Sequence, residues 1–376
     1  MRGRRWGFVV TGAERTQGHC RGPAGTGPSP ADVAAGTVAC AHVTRTWPAG
    51  KRFDVVGIGN ALVDVIAHHD DTFIHAHGLV KGSMTLIETD RAVSLYRALG
   101  PAVEMSGGSA ANTMTGVASF GSRAAYIGKV ADDDLGEVFG HDLHAVGVVF
   151  PNKPAASTDT PTGRCIIVVT PDAQRTMNTF LGMSSLLTPD DVDEAVVAAG
   201  KVVYLEGYLW DRVEAKEAYR KAARVAHANG GQVSLTLSDS FCVDRHRDGF
   251  RDLVAGDVDV LFANEDELLS LYDARTFADA VDAVRRDVHI AAVTRGKSGS
   301  VVVTADDVIE VAAEPVADVI DTTGAGDLYA AGFLHGYTNG MALARCGQLG
   351  SIAAAEVIGH VGARPLVPLD RLAGER

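Results

Sequence analysis

The stretch Asp321-Thr322-Thr323-Gly324-Ala325-Gly326-Asp327 sets acids, hydroxyls and glycines directly ahead of Leu328-Tyr329-Ala330-Ala331-Gly332-Phe333-Leu334-His335-Gly336-Tyr337. Apolar residues at 330, 333, 334 and 337 follow the i, i+3, i+4, i+7 spacing of a helix with one buried face, which predicts a helix starting near Gly326-Asp327. The first N–H groups of a helix have no carbonyl one turn back. With Gly324 and Gly326 leaving them unobstructed, they form an anion hole backed by the positive end of the helix dipole. Asp327 stands at that end, where a carboxylate is held ionised and can accept a proton from a hydroxyl while the neighbouring amides stabilise phosphoryl oxygens. An acid that merely complements a helix N-terminus explains Asp327 alone; the full run of Asp, Thr, Gly, Ala, Gly and Asp favours chemistry.

A second stretch, Ala291-Ala292-Val293-Thr294-Arg295-Gly296-Lys297-Ser298, fits the loose Walker A pattern. A P-loop needs a helix after the lysine and serine. Here Gly299-Ser300 leads into Val301-Val302-Val303-Thr304, a β-branched run that predicts strand, tight turn, strand. A P-loop nucleoside triphosphatase is therefore set aside.

These residues must be carried by a body able to position them. The chain has 376 residues, 46% hydrophobic and 22% charged, enough to bury a sizeable core as one large domain or a large and a small one. No apolar run is long enough to span a bilayer, and a formal charge of −13 without a long basic run argues against nucleic acid. Small-molecule chemistry is the expectation. Five scattered cysteines, Cys20, Cys40, Cys165, Cys242 and Cys346, form no C-x-x-C pair and fit reduced thiols in a cytoplasm. His75-Ala76-His77 lacks a third metal ligand nearby and reads as a surface strand or loop. Residues 1–50, with six arginines against two acids and many Gly, Pro and Thr, read as a disordered extension without chemistry.

Order is expected from Phe53-Asp54-Val55-Val56-Gly57-Ile58-Gly59-Asn60, a strand entering a Gly turn. Short apolar runs at Ala124 to Ile127, Val202 to Leu205, Gln232 to Leu237, Val258 to Phe262 and Ala291 to Thr294 alternate with helical patterns such as Arg212 to Asn229, closed by Gly230-Gly231. This predicts an α/β fold with three layers around a mainly parallel sheet. Val80 to Ile87 and Gly163 to Thr179 break the rhythm as strands without helices, suited to a small separate sheet over the site. Met341 to Ile358 is a helix of small residues, packed closely on the body.

At this level of detail the sequence resembles a known family. DTTGAGDLYAAGFL is similar to the C-terminal signature of the PfkB, or ribokinase-like, family of carbohydrate and nucleoside kinases. Gly107-Gly108-Ser109-Ala110-Ala111-Asn112, with Phe120-Gly121 downstream, resembles its N-terminal signature, although Met114 is bulkier than usual there. Asn264-Glu265-Asp266-Glu267 resembles its N-x-x-E motif, and Thr294-Arg295-Gly296-Lys297-Ser298-Gly299 its nucleotide-side T-x-G-x-x-G turn. The elements cover residue 53 to about 365 in the family's order. Within the family, Gly59-Asn60-Ala61-Leu62-Val63-Asp64, Pro161-Thr162-Gly163-Arg164-Cys165 and Asp172-Ala173-Gln174-Arg175-Thr176 look most like the adenosine kinase branch and its bacterial relatives.

The resemblance implies a ribokinase-like three-layer α/β/α sandwich over residues 51–370, with a small β lid from parts of about 65–105 and 160–182. It implies ATP-dependent phosphorylation of a nucleoside 5′-hydroxyl, most simply adenosine, by a cytoplasmic monomer or homodimer; the alternatives are a sugar kinase acting on ribose or fructose and a catalytically silent metabolite sensor. Asp327 would be the base beside Gly324, Ala325 and Gly326, with Arg175 approaching the transferred phosphate from the lid. Asp64 would bind the sugar hydroxyls together with Asn60, Gly107, Gly108, Ser109 and Asn112. Asn264, Glu267, Thr294, Gly296 and Gly299 would face ATP, and Glu267 would orient Mg²⁺ through water. Asn264 and Glu267 equally read as a variant capping box. Asp321 and Thr323 stand where some relatives bind a monovalent cation such as K⁺. Phe180, Leu181 and Met183 are candidates for covering a purine.

Overall fold

The computed structural model describes residues 46–374 apart from 157, 158 and 173; the arginine-rich N-terminal stretch, with Cys20 and Cys40, and Ala173 lie outside the described residues. Thirteen strands and their connecting helices make two sheets. In chain order the strands are β1 (Phe53–Ile58), β2 (Leu62–His68), β3 (Met84–Leu86), β4 (Val103–Gly107), β5 (Ala124–Ile127), β6 (Gly163–Val169), β7 (Arg175–Phe180), β8 (Gly200–Glu206), β9 (Gln232–Thr236), β10 (Val260–Asn264), β11 (Ile290–Thr294), β12 (Ser300–Val303) and β13 (Val308–Val311).

The larger sheet runs β13-β12-β11-β10-β9-β8-β1-β5. From β5 to β11 every pairing is parallel, while β12 and β13 close the edge antiparallel. Its strands are apolar on both faces because both faces are covered. Val55, Val260, Phe262 and Ala292 enter one core with the helices Ser109–Ser119, Ala325–Thr338 and Leu343–Ile358. Val56, Leu261, Ala263 and Val293 enter a second core with Val213–Ala228, Ser240–Asp257, Glu265–Tyr272 and Phe277–Asp287. This is the expected three-layer sandwich. Parallel strands also bring their C-terminal ends to one edge, where ligands of such sheets bind. Glu206, Asn264 and Thr294 end β8, β10 and β11 there.

Where the Walker-like pattern lies, Thr294 of β11 faces Ser300 of antiparallel β12 across a short turn, Gly296–Ser298. The turn closes through the Arg295 N–H, which donates to the Gly299 carbonyl at 2.7 Å. Gly299 has φ +85°, and a Cβ there would sit 2.1 Å from the Val311 carbonyl oxygen. A strand and not a helix follows, so no P-loop forms.

The smaller sheet, β3-β7-β6-β2-β4, grows out of the larger one where the chain leaves β1 and enters β2. One of its faces, with Val63, Val65, Ile166 and Val168, packs into the first core beside Ile74, Leu95 and Leu99. Ile74 and Leu95 belong to the helices Asp71–Ala76 and Thr89–Ala98. The opposite face carries Asp64.

Several local expectations need correction. Val80 to Ile87, expected as a strand without helices, contributes only the three-residue β3, and a helix lies on either side of it. His75 lies in the last turn of the first of these helices and His77 caps it, not on a strand or loop; the Phe73 ring stacks on His69 at 3.9 Å and meets His77 at a tilt at 4.2 Å. Packing begins ahead of Phe53, since Trp47 meets Tyr337 edge-on at 6.2 Å. Among the described residues no helix is long and apolar enough to cross a membrane.

Candidate active site

The helix Ala325–Thr338 begins where the sequence places it, with Gly324 at its N-cap in the left-handed region. The Ala325 N–H turns back to the Thr322 carbonyl at 3.2 Å, so the outward-facing amides of the anion hole are those that follow it in the first turn. Asp327 is half-buried in that turn. Ser109 Oγ donates to its Oδ1 at 2.6 Å and Asn112 Nδ2 to its Oδ2 at 3.1 Å. Burial raises the Asp327 carboxyl to about 6, against these two hydrogen bonds, which lower it. Each carboxylate oxygen keeps a lone pair for a hydroxyl. The group is thus poised to take a proton at neutral pH.

Ser109 and Asn112 reach Asp327 because two helices approach closely. At Gly116 a Cβ would lie 2.6 Å from the Ala331 Cβ; the helix of Asp327 is packed as tightly on a third helix, Leu343–Ile358, where a Cβ on Gly332 would lie 2.3 Å from the Leu349 carbonyl oxygen. The helix Ser109–Ser119 starts at Gly108, φ +94°, whose missing Cβ would collide with the Asn60 carbonyl oxygen at 2.3 Å. Gly107 lies flat on Asp64, with room for no side chain: a Cβ would be 2.5 Å from the carboxyl carbon. Burial raises Asp64 to about 6; Arg364 and Arg175 pull it down and Asp327 pushes it up. Asp64, Gly107, Gly108, Ser109, Asn112 and Asp327 therefore form one constellation.

Asn60 is close by but its amide is taken. Nδ2 donates to Glu206 Oε1 at 2.7 Å, and Oδ1 accepts from Ser184 Oγ at 2.9 Å. Arg175, from β7, pairs with Asp321 and donates to Thr323 Oγ1 at 3.3 Å. Asp321 also accepts from Thr323 N, Thr323 Oγ1 and Gly362 N at 3.0, 2.7 and 3.1 Å. Burial raises the Asp321 carboxyl, but these hydrogen bonds and the Arg175 charge outweigh it and hold it below the usual range. The position expected for a monovalent cation thus already holds a guanidinium.

Asn264 and Glu267 form a complete capping box: Glu267 N–H donates to Asn264 Oδ1 at 2.8 Å, and Asn264 N–H to Glu267 Oε2 at 2.9 Å. Burial raises Glu267 to about 7; its bond from the Asn264 N–H lowers it, and the charges of Asp239, Asp266 and Asp327 raise it further. Such a carboxylate among like charges suits a hydrated Mg²⁺. Among the described residues no group of three His, Cys, Asp or Glu side chains is placed to ligate a metal directly. Thr294, Gly296 and Gly299 follow on the adjacent strand end and turn.

Two residues escaped the sequence reading. Glu206 ends β8 at 1% exposure beside Asn60; a lone acid closing the apolar run Val202 to Leu205 was its only signal. Arg364 donates Nε to Asn112 Oδ1 at 3.4 Å and its charge reaches Asp64. It sits in a Gly-Ala-Arg-Pro loop whose pattern marks nothing. Phe180 and Met183 are buried, and Phe180 pairs with Arg164, on the face of β7 opposite Thr179; only Leu181 of the three purine candidates is half-buried.

Residues 82–370 match the family described as pfkB family carbohydrate kinase. Adenosine kinase from Sinorhizobium meliloti is 54% identical, with a TM-score of 0.79 over 86% of this chain and 99% of that one. A probable sugar kinase protein from Rhizobium etli is 49% identical, with the same TM-score, over 86% and 98%. Adenosine kinase from Saccharomyces cerevisiae is 26% identical over 85% of this chain and 98% of its own. Given a family match over most of the chain, a sandwich of the same architecture and an acid at a glycine-rich helix start, the chain belongs to the pfkB family of carbohydrate kinases and is a phosphotransferase with an alcohol group as acceptor.

Proposed function

We propose that this protein transfers the terminal phosphoryl group of ATP to the 5′-hydroxyl of a nucleoside, with adenosine the best acceptor and Mg²⁺ required. One observation carries the choice of nucleoside over free sugar. On the face of the smaller sheet that bears Asp64, the register places Cys165 and Thr179 beside it, Ile66, Ile167 and Met177 in the next row, and Val169 and Arg175 beyond. Cys165, Ile167 and Val169, with Ile66 and Met177, form an apolar cluster separate from both main cores. Burial, reinforced by Asp64, pushes the Cys165 thiol up to about 12, so it acts as an apolar wall and not a nucleophile. A free sugar needs only the polar row around Asp64; the apolar row continuing past it, in which Ile66 and Met177 are only partly buried, suits the flat face of a base.

In this reading Asp64 and the Gly107-Gly108 backbone hold the sugar hydroxyls. Asp327, steadied by Ser109 and Asn112, accepts the proton of the attacking hydroxyl. Bound ATP supplies the γ-phosphoryl group. The helix-start amides face the phosphoryl oxygens, Glu267 and Asn264 would hold Mg²⁺ through water, and Arg175 supplies positive charge from the sheet above. Since phosphoryl transfer asks little covalent help, positioning and charge neutralisation carry most of the rate.

The second reading, a kinase of ribose, fructose or a related sugar, is supported by the same polar row and by the likeness to a protein named as a probable sugar kinase. ADP release measured with Mg-ATP across adenosine, inosine, guanosine, ribose and fructose decides between them. Adenosine should give the highest kcat/KM; turnover of ribose without adenosine would overturn the nucleoside assignment.

A further inference from the structure

Glu206 is a carboxylate at 1% exposure that forms no salt bridge among the described residues. Its partners are neutral donors. Oε1 accepts from Asn60 Nδ2 at 2.7 Å and Asn60 N at 3.3 Å, and Oε2 accepts from Ala110 N at 2.9 Å. The backbone closes over it: a Cβ on Gly59 would stand 2.4 Å from Oε2. Burial raises the Glu206 carboxyl to about 7, and the hydrogen bonds from Ala110 and Asn60 pull the other way by favouring the ionised form; an apolar side chain would fill the same space more cheaply.

Those donors belong to two different parts of the site. Asn60 lies in the crossing from β1 into β2, the strand that carries Asp64. Ala110 lies in the first turn of the helix whose Ser109 and Asn112 hold Asp327. We infer that Glu206 is a positioning residue: through Asn60 and Ala110 it fixes the strand bearing the acceptor-binding Asp64 and the helix bearing the partners of Asp327 in one register. Three N–H groups converge on it, and only an ionised carboxylate offers acceptors alone. A glutamine must turn an N–H toward one of them.

The inference rests on the roles given above to Asp64 and Asp327, whatever the acceptor. The full chain is compared with Glu206→Gln and with the double variant Glu206→Gln/Asn60→Asp, which reverses donor and acceptor between the two side chains. Glu206→Gln should lower kcat/KM for the acceptor by at least about 30-fold, the scale of misplacing a reacting group, while KM for ATP stays within about threefold, because Asn264 and Thr294 end other strands. The reversed pair should recover at least about fivefold of the loss. Amide hydrogen exchange gives a readout independent of turnover: residues 57–64 and 107–113 should exchange faster in Glu206→Gln, and 290–300 should not. Near wild-type kinetics in Glu206→Gln, an equal rise of both KM values, no recovery in the reversed pair, or exchange rising uniformly would each overturn the inference. The acceptor is whichever the wild type turns over, so a failed adenosine assignment leaves this test intact, and if no acceptor is turned over the exchange pattern alone decides.

Discussion

Asp327→Asn should make the enzyme slower and more stable at once. The carboxyl is held at about 6 where 3.8 is ordinary, chiefly by burial. At about 1.4 kcal/mol per tenfold, keeping it ionised at neutral pH costs the fold about 3 kcal/mol. Asparagine removes that charge and still accepts from Ser109, but it points an N–H at Asn112 Nδ2, a loss of about 1 kcal/mol. The net gain is about 2 kcal/mol. For the roughly 330 residues described, with an unfolding entropy of about 2.1 cal/mol/K each, this raises Tm by about 3 °C. The sign fixes the pH window. A carboxyl whose folded pKa is raised contributes stability below its unfolded value, near 4, and loses it as pH rises through 6. The Tm advantage of Asp327→Asn should therefore be absent at pH 4 and full above pH 7. Turnover should fall by at least about a hundredfold, the scale of lost general-base help. Scanning calorimetry from pH 4 to 8 and coupled ADP release measure both. A Tm below wild type at pH 7.5 would refute the burial argument, and wild-type turnover would remove Asp327 as the base.

Glu267→Gln keeps a side chain able to pair with Asn264 while removing charge, so the Mg²⁺ concentration for half-maximal rate should rise by about tenfold; turnover surviving complete chelation of Mg²⁺ would contradict the role of Glu267. Gly299→Ala combines a left-handed backbone with a 2.1 Å clash against the Val311 carbonyl and should cost about 2 to 3 kcal/mol, read from the urea midpoint. An unchanged midpoint would show that the turn tolerates another path.

Much of this architecture is legible before folding because it is written in local periods. Runs such as Val202 to Leu205 and Ala291 to Thr294 are buried on both faces and so read as continuous apolar strands. The helix at Asp327 announces itself through glycines and a regular apolar stripe. Asp71–Ala76 and Thr89–Ala98 were missed because their buried contacts are few: Ile74 alone in one, Ala92 and Leu95 in the other, too short a stripe to establish a period. Glu206 and Arg364 were missed for a different reason. Their partners lie 146 and 252 residues away, at Asn60 and Asn112, and nothing local to either residue encodes that distance. Phe180 illustrates the third kind of error, since a side chain's face in a sheet depends on register, which shifts by a single residue between one side and the other.

The two halves of the site are built to different tolerances. Where Gly116 meets the Ala331 side chain, the helix of Ser109 and Asn112 lies against that of Asp327 at closest approach, and Gly332 brings the latter as tightly onto the Leu349 carbonyl of Leu343–Ile358. The wall opposite is a thin sheet whose Met84, Leu86 and Val103 remain about half exposed. In the proposed reading that sheet faces the acceptor, so substitutions there reshape what is admitted without moving the atoms that react. Such a division lets one catalytic frame diversify over many acceptors, and it marks the smaller sheet as the place to redirect this enzyme by directed evolution.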